Sequence, residues 1–139
     1  MKVRRFDSIR EGDTLSGVVT GPITRHTLLL YAGASGDHNG LHTDPDHARH
    51  AGYADVFAHG MLSAAYLARV VTDWVDQSAV RSLSVRFVAI THLDDEVHCR
   101  ATVAKKSVEH GEKRVTLELA AQNQRGETKI TGTAVVALA

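Results

Sequence analysis

The sequence predicts an α+β domain in which an antiparallel sheet wraps around one long buried helix. Three observations carry that reading. From Gly60 to Val75 nearly every position is apolar, including Met61, Leu62, Ala64, Ala65, Leu67, Ala68, Val70, Val71 and Trp74. A helix apolar almost all round and too short to span a bilayer belongs inside a protein. After it the apolar period drops to two, through Leu83/Val85/Phe87/Ala89, Val97/Cys99/Ala101/Val103, Val115/Leu117/Leu119/Ala121 and Ile130/Ala134/Val136/Leu138. Such alternation makes strands with one face on the core. Finally, the strands are separated by turn residues at Asp94-Asp95, His110-Gly111 and Arg125-Gly126. Links this short join antiparallel neighbours.

The elements that precede the helix follow from local chemistry. Residues 1–22 form a lead-in with a short strand expected over 15–20, ended by Gly21-Pro22. Thr24 is placed to cap a helix over about 25–34, with Ile23 and Leu28 as its hydrophobic staple and an end near Gly36. An irregular loop is expected over 35–43. Asp44-Pro45 then starts a short helix that stops near Gly52, because proline in the first turn forgoes an N–H that has no helical partner. Residues 53–58 read as an extended connection.

The chain has 139 residues, room for one domain with a real core, and both its hydrophobic share (43%) and charged share (23%) are ordinary for a globular domain. Lys+Arg and Asp+Glu both number 16, so no charge excess argues for nucleic acid or an anionic membrane surface. The lone cysteine, Cys99, excludes an internal disulfide and a cysteine-based zinc site and fits a reducing cytoplasm. No apolar run follows the charged N-terminus, which argues against a secretory signal.

Chemistry concentrates in residues 31–61. Asp37, His38, His42, Asp44, Asp46, His47, His50, Asp55 and His59 are interspersed there with Gly33, Gly36, Gly40, Gly52 and Gly60. Carboxylates and imidazoles held together support proton transfer near neutral pH, and glycines admit sharp turns and close approach of a substrate. The histidines show no recognised metal spacing, and His38, His47 and His50 read as solvated side chains. A nucleophile elbow at Ser35 is rejected, since a helix rather than a strand precedes it.

The run ASGDHNGLHTDP (34–45), then Gly52-Tyr53 and AHGM (58–61), resembles the hydratase motif of the MaoC-like family, hot-dog-fold R-specific enoyl-CoA hydratases and (3R)-hydroxyacyl-ACP dehydratases. The resemblance implies that residues 1–139 form a single MaoC-like hot-dog domain acting on an acyl-CoA or acyl-ACP. It implies Asp37 and His42 as the catalytic pair that activates a water. Gly60, at a helix N-terminus where N–H groups are unpaired and the dipole favours negative charge, is then expected to bind the thioester carbonyl. Asn39 is expected to shape the loop. No cofactor and no metal is needed, because the thioester itself acidifies Cα.

The resemblance also implies a dimer, either a homodimer or a heterodimer with a related hot-dog subunit. Two departures stand out. Gly40 occupies the family's usual proline, a change expected to loosen the loop by roughly 0.4–1 kcal/mol through the unfolded chain. Ala68 lies near where some relatives place a serine that helps at the thioester. Two other functions stay open at this point: an acyl-CoA thioesterase on the same fold, and a non-catalytic acyl-binding partner subunit.

Overall fold

The computed structural model describes residues 4–139. After a 3-10 turn at Phe6–Ser8 come β1 (Val18–Thr20), α1 (Arg25–Ser35), α2 (Gly40–Thr43), α3 (Pro45–His50) and α4 (Gly60–Trp74). The remaining chain is β2 (Val80–Phe87), β3 (Val97–Glu109), β4 (Glu112–Gln122) and β5 (Thr128–Leu138). All five strands form one sheet in the order β1-β3-β4-β5-β2, with every neighbouring pair antiparallel. No helix among the described residues is long and apolar enough to cross a membrane.

The predicted helix starts and stops hold, whereas the lead-in strand expected over 15–20 is formed only at Val18–Thr20. Thr24 Oγ1 accepts the Thr27 N–H to open α1, and Gly36 closes it at φ 77°, a left-handed angle that suits glycine. Ile23 and Leu28, on either side of that cap, are both buried. Asp44 caps α3 by accepting from the Asp46 and His47 N–H groups, with Pro45 in the first turn. The turns at 94–95, 110–111 and 125–126 stand where expected, with Asp94, His110, Gly111 and Gly126 at positive φ.

The core forms where α4 meets the sheet. Leu62, Ala64, Leu67, Val70 and Val71 of α4 share one buried cluster with Val97, Cys99, Ala101 and Val103 of β3, with Val115, Leu117, Leu119 and Ala121 of β4, and with Ile130, Ala134 and Val136 of β5. Burial raises the Cys99 thiol pKa to about 11, against a smaller opposing pull from Arg69. Asp95 and Lys129, both buried, pair at 3.6 Å beneath the turn before β3. Asp95 also accepts the His92 N–H at 2.9 Å and an Asn123 amide hydrogen at 3.2 Å, and Lys129 reaches Glu127 at 3.0 Å.

Four expectations need correction. β2 and β3 are not sheet neighbours despite the turn at 94–95 between them: β2 pairs with β5, and β3 lies between β1 and β4. The segment 35–43 is not wholly irregular, because Gly40–Thr43 makes one helical turn capped by Asn39. The central helix is not buried all round: Met61, Ala65, Arg69 and Asp73 form an exposed stripe at four-residue spacing, since a single sheet covers only one side of it. The alternation in β2 does not put Leu83 and Phe87 in the core; they are 43% and 51% exposed. β2 is an edge strand with a neighbouring strand on one side only.

Candidate functional site

The left-handed Gly36 at the end of α1 turns the chain so that Asp37 begins a short series of side-chain caps. Ser35 Oγ accepts the Asp37 N–H at 3.1 Å, which is its use here in place of nucleophilic chemistry. Asp37 Oδ1 accepts the Asn39 N–H at 3.2 Å, and Asn39 Oδ1 accepts the Leu41 N–H at 3.0 Å. Each short polar side chain satisfies a backbone donor two residues on, as Asx and Ser turns do. Asn39 thereby starts α2, and α2 carries His42.

His42 Nδ1 donates to the Phe57 carbonyl at 2.7 Å. A carbonyl can only accept, so Nδ1 carries a proton and Nε2 is the nitrogen left open to another partner. The Phe57 N–H in turn donates to the Leu41 carbonyl at 3.3 Å, which ties α2 to the approach to α4. The His42 ring stacks on that of His59, centroids 3.9 Å apart and planes 26° apart. His59 is buried, with Tyr31 edge-on at 4.8 Å, and its Nε2 donates to the Asp37 backbone carbonyl at 3.1 Å. Burial pushes its pKa down, against an opposing pull from the hydrogen bond to Asp37, and the neighbouring His42 adds to the lowering. Its Nδ1 is buried without a hydrogen-bond partner.

One polar atom from each of Asp37, His42 and His59 lies within 4.8 Å of the others. A water hydrogen-bonded to two groups at about 2.8 Å and a tetrahedral angle bridges roughly 4.5 Å, so the spacing suits one shared water. These are also the residues whose donor atoms sit close enough to share a metal, although one nitrogen of each histidine is already committed to a carbonyl.

Gly60 is the first residue of α4, directly after His59. A Cβ at this position would come within 2.9 Å of the Phe87 ring, so only glycine lets that ring lie against the helix start. From there a groove of about 350 Å³ runs between the start of α4 and residues 87–91, lined mainly by apolar side chains such as Phe57, Phe87, Val88 and Ile130. Ser63 also lines it; its side chain is buried and its Oγ has no partner. A larger depression of about 980 Å³ lies against other strand residues, among them Arg86, Arg100 and Thr102, and shares no residue with this groove.

The structure thus brings together Asp37, His42 and His59, with Asn39 starting the turn that carries His42 and Gly60 directly after His59, and leaves the other acids and histidines of the stretch aside. Asp44 is a cap, and Asp46 pairs with the exposed Arg49. His50 donates to the Asp46 carbonyl, and Asp55 holds Arg25 in a two-pronged ion pair. Of the basic residues, Arg81 is occupied by Glu112, and Lys106 by the Ile9 carbonyl and the Phe6 ring. Ala68 faces a separate depression with Val71, Thr72 and Leu83.

Gly40 is explained by His47. A Cβ on Gly40 would fall 2.8 Å from His47 Cγ and 3.2 Å from its Cβ. The departure from proline therefore makes room for a neighbouring side chain. His59 reads in the sequence as a structural or capping residue, and Ser63 escaped that reading. The role of His59 depends on a ring stack formed across 17 positions, which no local pattern reveals. Ser63 did leave a signal, as the one hydroxyl in the first turn and a half of an otherwise apolar helix.

With this geometry in view, the relatives are informative. An antiparallel sheet against a single long helix is the hot-dog fold, and R-hydratase PhaJ1 from Pseudomonas aeruginosa, solved in the unliganded form, superposes with a TM-score of 0.82 over 96% of this chain and 85% of that one, at 24% identity. Residues 8–124 match the MaoC like domain family, and the chain belongs to it. An (R)-specific enoyl-CoA hydratase from Rhodospirillum rubrum is 33% identical over 100 residues, covering 70% of this chain and 68% of that protein. A mitochondrial 3-hydroxyacyl-[acyl-carrier-protein] dehydratase from Arabidopsis thaliana is 29% identical over 102 residues, covering 68% of this chain and 60% of its own length.

Proposed function

We propose that the protein is a hydro-lyase that adds water to trans-2-enoyl thioesters to give (3R)-hydroxyacyl thioesters, and catalyses the reverse dehydration. The observation that carries this reading is the spacing of the Asp37 carboxylate and the His42 imidazole, within 4.8 Å of each other beside the N-terminus of α4. Both groups are hydrogen-bond acceptors, since His42 Nδ1–H is spent on Phe57. A water between them donates one hydrogen to each and directs an oxygen lone pair outward, toward Cβ of the bound substrate. Asp37 and His42 take up the proton as the C–O bond forms and deliver one to Cα on the same face. Negative charge moves onto the thioester oxygen during the attack. The Gly60 N–H, unpaired within its helix and at the positive end of the dipole, stabilises it there. Asn39 sets the loop, the apolar groove holds the acyl chain, and CoA or ACP carries it. The chemistry needs no metal or cofactor.

The names of the two relatives, a CoA hydratase and an acyl-carrier dehydratase, support the substrate class. We read residues 1–139 as one domain of this kind that works as a dimer, with a second copy or a related subunit along β2. That edge strand carries exposed Leu83 and Phe87, followed at once by exposed Val88, an apolar strip that a partner would cover. The buried thiol of Cys99 accords with a cytoplasmic setting.

The test is hydration of crotonyl-CoA and of a longer trans-2-enoyl-CoA, followed by loss of enoyl-thioester absorbance, with chiral analysis of the product. Wild-type protein is expected to give the (3R)-hydroxyacyl thioester. Asp37→Asn and His42→Gln are each expected to lose roughly 10²–10⁴-fold in turnover. Release of free CoA would establish a thioesterase instead. Turnover unaffected by either substitution would remove the pair from the mechanism.

A further inference from the structure

We infer that Ser63 is a second hydrogen-bond donor to the substrate's thioester carbonyl, acting beside the Gly60 N–H; the inference rests on the acyl-thioester reading above. Ser63 is 1% exposed, and its Oγ makes no hydrogen bond within the protein. A serine inside a helix usually returns its hydroxyl to the carbonyl four residues back. Here that carbonyl belongs to His59, and it accepts the Leu62 N–H instead. A buried hydroxyl without a partner costs stability, whereas alanine at the same place would cost nothing. The hydroxyl is therefore a feature that the fold does not use.

Its position supplies the use. Ser63 and Gly60 are three residues apart on α4 and line the same groove, with Phe87 and Ile130 on the far wall. Helical side chains lean toward the preceding turn, which directs Oγ over the start of the helix, where Gly60 has no side chain to block it. A thioester oxygen docked on the Gly60 N–H has a second lone pair, and the Ser63 hydroxyl is the donor within the groove nearest in sequence to that helix start. As charge builds on this oxygen, two fixed donors stabilise it more than one. Ser63 would thus touch the reacting group, and no bond to it forms or breaks.

The experiment compares wild-type protein with Ser63→Ala and Ser63→Thr. Crotonyl-CoA hydration gives kcat and KM, thermal unfolding gives stability, and isotope-edited infrared spectra give the carbonyl band of bound butyryl-CoA labelled with ¹³C at its carbonyl. Ser63→Ala is expected to unfold at the same or a higher temperature and to lose roughly 100-fold in kcat with little change in KM. Its bound carbonyl band should move to higher frequency. Ser63→Thr keeps the hydroxyl and should retain the wild-type band and most of the turnover. An unmoved band in Ser63→Ala overturns the inference whatever happens to kcat, because a packing role changes stability without touching the carbonyl. If wild-type protein binds butyryl-CoA and hydrates no enoyl thioester, the hydratase reading fails while the band still decides Ser63. If it binds no acyl thioester, both fail.

Discussion

Replacing Gly40 with proline restores the residue common in the MaoC-like family, and on loop entropy alone it should stabilise the protein. Proline suits the first position of a helix, and Gly40 is the first residue of α2. Fewer unfolded conformations would contribute roughly 0.4–1 kcal/mol in favour of folding. Against that stands the His47 side chain, whose Cγ and Cδ2 would lie 2.8 and 2.9 Å from the new Cβ and whose Cβ would lie 3.2 Å away. Swinging the exposed ring aside costs about 0.5–1.5 kcal/mol, and the contact with the His47 Cβ survives any rotation. Overpacking of this kind costs roughly 1–3 kcal/mol. The balance predicts that Gly40→Pro loses about 1 kcal/mol, near 3–4 °C in melting temperature for a chain of this size. In a His47→Ala background the ring clash is gone and only the 3.2 Å contact with the retained Cβ remains, so the same substitution should be neutral or gain up to about 0.5 kcal/mol. Urea unfolding of the wild type, both single variants and the double variant closes the cycle, with an expected coupling of roughly 1–2 kcal/mol. Stabilisation by Gly40→Pro with His47 present would refute the steric account of this glycine.

Two further outcomes follow from buried groups. His59 has its pKa lowered by burial, so the unfolded chain binds a proton more readily than the folded one. Its contribution is complete above the unfolded value near 6.5 and is lost as pH falls through the lower folded value. Stability measured from pH 8 down to 5 should therefore decline, and His59→Gln should flatten that part of the profile. Asp95→Ala leaves the Lys129 ammonium buried with only Glu127 beside it and frees the His92 N–H, which should cost about 3 kcal/mol in urea unfolding. Asp95→Ala combined with Lys129→Met should recover most of that loss, and no recovery would mean that the turn, not the charge, carries the cost.

Most of the fold was legible because its boundaries are written in residues with one strong preference. Thr24, Gly36, Asp44-Pro45 and Gly60 each mark a helix end by local hydrogen bonding or backbone geometry, and the strands announce their faces by alternation. What stayed hidden depends on other parts of the chain. Alternation groups Leu83 with Phe87 but says nothing about whether their strand lies at the edge of the sheet, where these side chains stay partly exposed. Four residues, Gly-Leu-His-Thr, are too few to show a helical period, so α2 could not be told from a loop. Asp37, His42 and Gly60 were singled out through the family resemblance. The stack of His59 on His42, the tautomer fixed by the Phe57 carbonyl and the idle hydroxyl of Ser63 arise only once the helices are packed.

The seclusion of Cys99 also bears on covalent side reactions. Thioesters exchange readily with thiolates, so any protein that handles acyl thioesters risks having its own cysteines acylated by them. Cys99 is the chain's sole thiol; it is 3% exposed, and burial raises its pKa to about 11, which keeps it protonated at neutral pH. An acyl thioester bound in the groove, as proposed, would therefore meet no exposed sulfur nucleophile of this chain.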